Sequence, residues 1–283
     1  MSEKVAFITG ASRGIGAEAA VALARAGYRV AITARTLASG EHHDHVGKSD
    51  ALPGSLEATA AAVARVGGEA LCLRADILNS QSMVAAAQAA LAHFGRVDLL
   101  FNNAVYQGSG NIESLLAVTE EQLRAIYQGN VFAPLALVKA FLPGMLERGS
   151  GTILNMVSHS AFTDPPAAGD KGGWGFAYPS SKAALSRMAG SLRAEHPDAG
   201  LRVFNLEPGL VMTEVMRLAG IDEAVMARFK PCTPAAIAAV VAWLAGNEPS
   251  QDWEPKNVLR GPAIAKALGL LQPPLARLNS SPL

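Results

Sequence analysis

The amino-acid sequence predicts an α/β fold, a doubly wound parallel sheet of about seven strands with helices on both faces, in a single domain. Three observations lead there. Short aliphatic runs alternate with alanine-rich runs along most of the chain, as expected for parallel strands joined by crossover helices. The first apolar run, Lys4-Val5-Ala6-Phe7-Ile8-Thr9, ends in a glycine-rich loop that opens a helical stretch. The length of 283 residues suits one α/β domain with insertions, and 50% hydrophobic against 17% charged residues supplies a large core.

Strands are expected at 4–9, 29–34, 69–76, 97–103, 151–157, 201–207 and, more weakly patterned, 257–260. Helices are expected at 14–26, 55–66, 80–94, 119–148, 179–196 and 234–246. The first helix is alanine-rich from Ala17 to Ala26 and is stopped by Gly27. Thr119-Glu120-Glu121-Gln122 has the form of a capping box and should start the long helix. Thr233-Pro234 offers an N-cap followed by proline at the first helical position.

Three stretches interrupt this plan. Residues 36–54 form a polar, glycine-bearing insertion. Residues 159–177 carry Pro165, Pro166 and four glycines. Residues 247–283 form the tail, in which 263–271 resembles an extra helix. The division expected is a dinucleotide-binding and catalytic domain over 1–250 and a C-terminal extension over 251–283 packed on it.

The 24 basic and 24 acidic side chains cancel. That argues against electrostatic binding of nucleic acid or membrane as the main role. No apolar stretch reaches the ~18 residues of a spanning helix. The chain enters its first strand at once, leaving no room for a signal peptide. The two cysteines read as unpaired, Cys72 in a strand and Cys232 in a loop. Together these features suggest a cytoplasmic setting. Glu41-His42-His43-Asp44-His45 reads as a polar surface loop, and no metal is assigned.

The chemistry begins with two motifs. Gly10-Ala11-Ser12-Arg13-Gly14-Ile15-Gly16 lies between a strand and a helix. Its spacing, G-x-x-x-G-x-G, is a variant of the dinucleotide fingerprint, in which glycines let backbone approach a pyrophosphate at a helix N-terminus. Tyr178 and Lys182 are four residues apart at the start of a helix, so they share a face. A free tyrosine has a pKa near ~10. A neighbouring ammonium favours the phenolate, which makes the pair a candidate acid/base for a hydroxyl or carbonyl.

In combination these motifs resemble the short-chain dehydrogenase/reductase family over roughly residues 4–245. Asp76, Asn102-Asn103-Ala104, Asn130, Ser158, Tyr178-x-x-x-Lys182 and Pro208-Gly209-Leu210-Val211-Met212-Thr213 follow the glycine loop in the family's order. The resemblance implies a Rossmann fold and a catalytic set of Asn130, Ser158, Tyr178 and Lys182. Ser158 would hold the substrate oxygen, Tyr178 would transfer its proton, Lys182 would lower the phenol pKa and hold the nicotinamide ribose, and Asn130 would support a proton relay. Cofactor contacts are implied for Gly10, Ser12, Arg13, Gly14, Ile15, Gly16, Arg35, Asp76, Ile77, Asn103, Ala104, Tyr178, Lys182, Pro208, Gly209, Val211 and Thr213.

An acid at the end of the second strand would bind a ribose hydroxyl and favour NAD. Here Ala34-Arg35 stands there, and Arg13 lies in the glycine loop. Two guanidinium groups suit a 2′-phosphate, so NADP(H) is the expected cofactor. Val105 replaces the family's glycine after Asn-Asn-Ala, so the backbone there should run differently. His159 could face the substrate or fill the pocket wall.

Residues 210–230, rich in Met, Leu and Val, are expected to form a substrate lid suited to an apolar ketone or alcohol. The gap between Ser158 and Tyr178 exceeds the family's norm, so 163–176 must bulge outward. The tail lacks the family's usual C-terminal motif, which leaves tetramers in doubt. A homodimer through helices 119–148 and 179–196 is expected.

The leading reading is an NADP(H)-dependent oxidoreductase interconverting a secondary alcohol and a ketone. An NAD-dependent alcohol dehydrogenase would use the same site. A non-catalytic NADP-binding sensor would lack a member of the catalytic set. An enoyl reductase would space its tyrosine and lysine more widely.

Overall fold

In a computed structural model of the chain, the described residues are 3–43, 52–218, 231–249 and 258–270. Seven strands form one sheet: β1 (Lys4–Thr9), β2 (Tyr28–Ala34), β3 (Ala70–Arg74), β4 (Leu99–Asn102), β5 (Gly151–Met156), β6 (Leu201–Glu207) and β7 (Leu259–Arg260). Their order is β3-β2-β1-β4-β5-β6-β7, and every pairing is parallel. The chain winds outward in opposite directions from β1 and β4. Their carboxyl ends therefore flank the switch point at which such sheets bind ligands.

The sheet is covered on both faces, which explains the uninterrupted apolar runs of its central strands. On one face Ala6 and Ile8 pack with α1 (Gly14–Arg25), α2 (Leu56–Arg65) and the apolar helix Pro234–Gly246. On the other, Val5 and Phe7 pack with α3 (Ser80–Phe94) and with Leu137 and Phe141 from the long central helix. Ser55, Asn79 and Thr233 each accept a backbone N–H at a helix start. Thr119 and Gln122 complete the expected capping box.

The long helix departs from expectation. It divides into α4 (Glu120–Tyr127), a π-helical turn over Gln128–Phe132, and α5 (Ala133–Glu147). Glu120–Glu147 is, by length and composition, apolar enough to cross a membrane. That differs from the sequence expectation. Its apolar side, with Ile126, Leu137, Phe141 and Met145, is buried within the protein.

Helix α6 (Ala177–Glu195) begins two residues earlier than expected. Pro179 thus falls in the first turn, where a backbone N–H would lack an intrahelical partner anyway. Short α7 (Glu214–Leu218) starts the expected lid, and 219–230 lie outside the described residues. Then come α8 (Pro234–Gly246) and α9 (Gly261–Ala267). Pro262, at an early position of α9, starts that helix ahead of the expected 263. Leu259, Ile264 and Ala265 from this C-terminal segment are fully buried in the first core. Of the insertion at 36–54, residues 44–51 lie outside the described ones, as does the tail beyond 270.

Candidate active site

A cleft of about 530 Å³ opens at the carboxyl ends of β1, β2, β4, β5 and β6. Its floor is the glycine loop. Gly10 adopts φ 68° and Gly14 φ 56°, a left-handed backbone that side chains disfavour. Thr9 fastens the loop to β4: its Oγ1 accepts from Asn103 N at 3.0 Å and Ala104 N at 2.9 Å. The Asn103 amide donates to Thr9 O at 2.8 Å and Gly10 O at 3.3 Å. Helix α1 then begins at Gly14 with no side-chain cap at Arg13. Its first N–H groups therefore stay directed at the cleft, as an anion site requires.

Every residue expected to bind cofactor lines this cleft except Gly16. Gly16 acts from behind. A Cβ there would lie 2.3 Å from Gly10 O and 2.6 Å from Asn103 Nδ2, so only glycine lets helix α1 close against the loop.

Arg13 and Arg35 both line the cleft at the β2 end. Arg13 donates from Nε to Pro53 O at 3.0 Å, and from an Nη to Thr36 Oγ1 and Gly54 O, each at 3.2 Å. The end of the insertion thereby holds this side chain in place. Burial lowers the Arg13 pKa, with Glu214 opposing and Arg35 adding to the effect. Arg74 donates to Arg35 O at 2.9 Å and grips Glu41 through both carboxylate oxygens at 2.8 and 2.6 Å. That grip, with the Ala38 N–H and His43 adding to it, holds the Glu41 carboxyl down to about 2. The expected polar loop at 41–45 thus uses Glu41 and His43 for internal contacts.

Beside the β2 end, after β3, Asp76 Oδ1 accepts from Leu78 N at 2.9 Å, shaping a turn with Ile77 and Leu78 along the cleft. Beyond Ala104 and Val105 the chain is caught by Asn130, whose Oδ1 accepts from Tyr106 N at 2.9 Å. The Asn130 amide donates to Ser181 Oγ at 3.0 Å, and Asn130 and Ser181 are fully buried. Asn130 thus has the partners that a helix-interior asparagine needs. It does not line the cleft itself but ties the β4 loop to α6. The π turn, a feature often found at functional sites, presents it.

Tyr178 and Lys182 project from the first turns of α6 into the cleft, with Lys182 Nζ 5.9 Å from the Tyr178 ring centroid. Lys182 is 2% exposed and donates to Met156 O at 2.8 Å. Burial brings its pKa down to about 7. The same loss of water raises the Tyr178 phenol above 10, a hydrogen bond with Ser158 pulls it back, and Glu207 pushes it up. The phenol is thus raised where a lowering by Lys182 was expected, because burial disfavours the charged form of each group.

Ser158 Oγ lies 3.0 Å from Ser160 Oγ, at the start of a 3₁₀ turn. The bulge over 163–176 brings Ser158 and Tyr178 together, as the longer spacing required. It folds back against Ile112 and Glu113, and a second cavity opens there, lined by Phe162, Trp174 and Phe176. His159 is exposed and lines neither cavity.

Thr213 Oγ1 accepts from Met216 N at 3.4 Å and so caps α7, while its methyl faces Gly14. Val215 and Met216, of the expected apolar lid, line the cleft, as do Thr36, Tyr106, Gln107 and Met156, which had not been singled out. The types of these last four carry no chemical signal, and only the fold brings them there. Among the described residues no group of three or more potential metal ligands occurs, and Cys72 and Cys232 are free thiols.

The sequence profile for short chain dehydrogenase matches residues 4–224. The chain belongs to the short-chain dehydrogenase family. An uncharacterized oxidoreductase of Methylorubrum extorquens is 32% identical over 256 residues, covering 87% of this chain and 91% of its own. A metagenomic short-chain oxidoreductase, solved in complex with NADP, is 31% identical with TM-score 0.65, over 87% and 91% of the two chains. A 7α-hydroxysteroid dehydrogenase, solved with NADH and 7-oxo glycochenodeoxycholic acid, is 26% identical with TM-score 0.70, over 91% and 92%. As a short-chain dehydrogenase the chain is an oxidoreductase of a nicotinamide-dependent family, with the seven-stranded parallel sheet that its sequence predicted.

Proposed function

We propose that the protein is an NADP(H)-dependent oxidoreductase interconverting a secondary alcohol and a ketone. The carrying observation is that Tyr178 and Lys182 line the cleft together while Ser158, just after β5, hydrogen-bonds with Tyr178 without lining the cleft itself. The glycine loop fits a dinucleotide. Gly10 and Gly14 bring bare backbone to the cleft, and the uncapped N-terminus of α1 offers N–H groups to a pyrophosphate. Gly10, Ser12, Gly14 and Ile15 would hold the diphosphate, and Asp76 and Ile77 the adenine. Asn103, Ala104, Lys182, Pro208, Gly209, Val211 and Thr213 would hold the nicotinamide half. When bound, the dinucleotide supplies or accepts the hydride.

In the reduction direction the Ser158 hydroxyl holds the carbonyl oxygen and the Tyr178 phenol donates a proton to it. A phenol kept protonated near neutral pH is ready for that donation. Lys182 lies beside it, positioned to favour the phenolate as the proton leaves. Asn130 holds the β4 loop against α6 and keeps this arrangement in register.

Arg13 and Arg35 favour NADP(H), since both line the cleft at the β2 end without an acid at the end of that strand. The NADP complex of the metagenomic relative is consistent with this choice. The 7-oxo ligand of the hydroxysteroid dehydrogenase supports a ketone–alcohol pair. The apolar residues Leu210, Val215 and Met216 suit an apolar substrate. The active form is a homodimer joined through α4, α5 and α6, in the cytoplasm, with residues 1–250 as the catalytic domain and 251–283 as its extension.

Purified protein mixed with NADPH and a panel of cyclic and aliphatic ketones should consume the reduced cofactor, read by its absorbance. Tyr178→Phe should lower turnover about a hundred- to ten-thousand-fold while cofactor binding persists. Tight NADPH binding with no turnover on any ketone would favour a sensor. Full activity in Tyr178→Phe would remove the mechanism.

A further inference from the structure

Gln128 opens the π turn, two residues before Asn130. On a helix of about 3.6 residues per turn, positions two apart point to nearly opposite sides. Asn130 reaches the β4 loop and α6. Gln128 reaches the other way, to the junction of β3 and α3. Its Nε2 donates to Ser80 Oγ at 2.8 Å and to Ile77 O at 3.4 Å. Gly129, between the two, is buried. A Cβ there would stand 3.0 Å from Ile77 Cδ1 and 3.2 Å from Tyr106 Cβ, so its bare backbone lets both side chains rest on the turn. Ile77 and Tyr106 line the cleft, whereas Gln128 and Ser80 do not.

The turn after β3 is shaped from within. Asp76 Oδ1 accepts from Leu78 N, Asp76 O accepts from Asn79 N at 2.9 Å, and Asp76 N donates to Ser82 Oγ at 3.1 Å. These bonds all lie between residues 76 and 82 and give the turn its form. Gln128 ties that turn across to the central helix. On the far side of the same helical turn, Ser181 accepts from Asn130 and donates to Tyr178 O at 2.7 Å.

We propose that Gln128 is a positioning residue for the adenine half of the dinucleotide, holding the Asp76–Leu78 turn against the five-residue segment that, through Asn130, also holds the catalytic start of α6. This rests on Asp76 and Ile77 holding the adenine. A dinucleotide that spans the cleft then meets its two ends at a set separation. Gln128 touches no ligand. It spares the binding free energy that ordering the turn would otherwise cost.

The test uses 5′-ADP, which carries adenine, ribose and diphosphate without nicotinamide. Gln128→Leu removes the donor at similar length. The 5′-ADP affinity of this variant, read by calorimetry, should fall about three- to tenfold, the loss of one net hydrogen bond. Its kcat at saturating NADPH should stay within about twofold while KM for NADPH rises. Asn130→Ala should show the reverse, with kcat about tenfold lower or more and 5′-ADP affinity within about twofold. Ser80→Ala should also weaken 5′-ADP binding, but add nothing to Gln128→Leu, since both changes break one bond.

Wild-type protein that binds no 5′-ADP would remove the adenine assignment and this inference with it. Wild-type binding that Gln128→Leu leaves unmoved overturns the inference alone. A kcat that falls as far as the 5′-ADP affinity, or losses that add with Ser80→Ala, also overturn it, because they mark general loosening. If no ketone is turned over, the alcohol–ketone proposal fails, and 5′-ADP binding by the Gln128 and Ser80 variants still decides. If Gln128→Leu does not fold, unchanged 5′-ADP affinity in Ser80→Ala counts against the inference.

Discussion

The Lys182 ammonium donates to the Met156 carbonyl at 2.8 Å from a position 2% exposed to solvent. Apart from that contact it is packed beneath Tyr178. Such a buried amine opposes folding whenever it must carry charge. Its unfolded pKa is 10.5 and its folded value about 7. The penalty is therefore complete below about 7 and is relieved as pH rises towards 10.5, where native and unfolded chains again bind equal numbers of protons. Lys182→Met should raise the melting temperature near neutral pH, by roughly 1–3 kcal/mol in stability, and flatten the rise across that window. It should also abolish turnover. Thermal unfolding of both proteins over the pH series checks this.

Cofactor choice is tested most cleanly at Arg35. Arg13 also holds the 52–54 segment, so its removal disturbs the loop as well. Arg35→Ala should weaken NADPH binding about ten- to a hundredfold and leave NADH binding little changed, since a charge-assisted bond to phosphate contributes roughly 1.5–3 kcal/mol. Fluorescence titration with the two dinucleotides reads the difference. Equal losses for both would assign Arg35 to the pyrophosphate or to the fold.

Gly16→Ala places a methyl group against Gly10 O and Asn103 Nδ2. Helix α1 must then move away from the glycine loop. The variant should lose roughly 1–3 kcal/mol of stability, and its cofactor affinity should fall further than the stability loss explains. Denaturant unfolding with and without dinucleotide separates the two effects.

Asn130→Ala leaves the Tyr106 N–H without its acceptor and the Ser181 hydroxyl without its donor. A loss of about 2 kcal/mol is expected, against about 1 kcal/mol for Ser181→Ala. The double variant should cost less than the sum, because both single changes break one shared bond. A fully additive cycle would show that the two residues are not coupled.

Much of this architecture was legible beforehand. The strand–glycine–helix unit at 4–26 and the spacing of Tyr178 and Lys182 carry local rules, namely backbone freedom and helical periodicity, that do not depend on distant contacts. What stayed hidden was set by distance in sequence. Gly16 reads as a cofactor contact until Asn103, in the loop after β4, is seen to fill the space before it. The effect of Lys182 on the phenol followed from charge alone, whereas burial, invisible in a string of letters, sets the outcome. The apolar run of 120–147 gave no sign of a π turn, because its cause lies in the partners that Asn130 finds on the β4 loop and α6.

That widened turn also bears on how the helix could change. A π turn takes in one more residue than the α-helical turns on either side of it. Deleting a single position, such as Gly129, would let the segment close into ordinary helix while Ile126 and Leu137 kept their places in the interior. The interior packing would be kept, while the Tyr106 amide would lose the acceptor that holds it. Here a one-codon excision would divide what the protein needs in order to fold from what it needs in order to work.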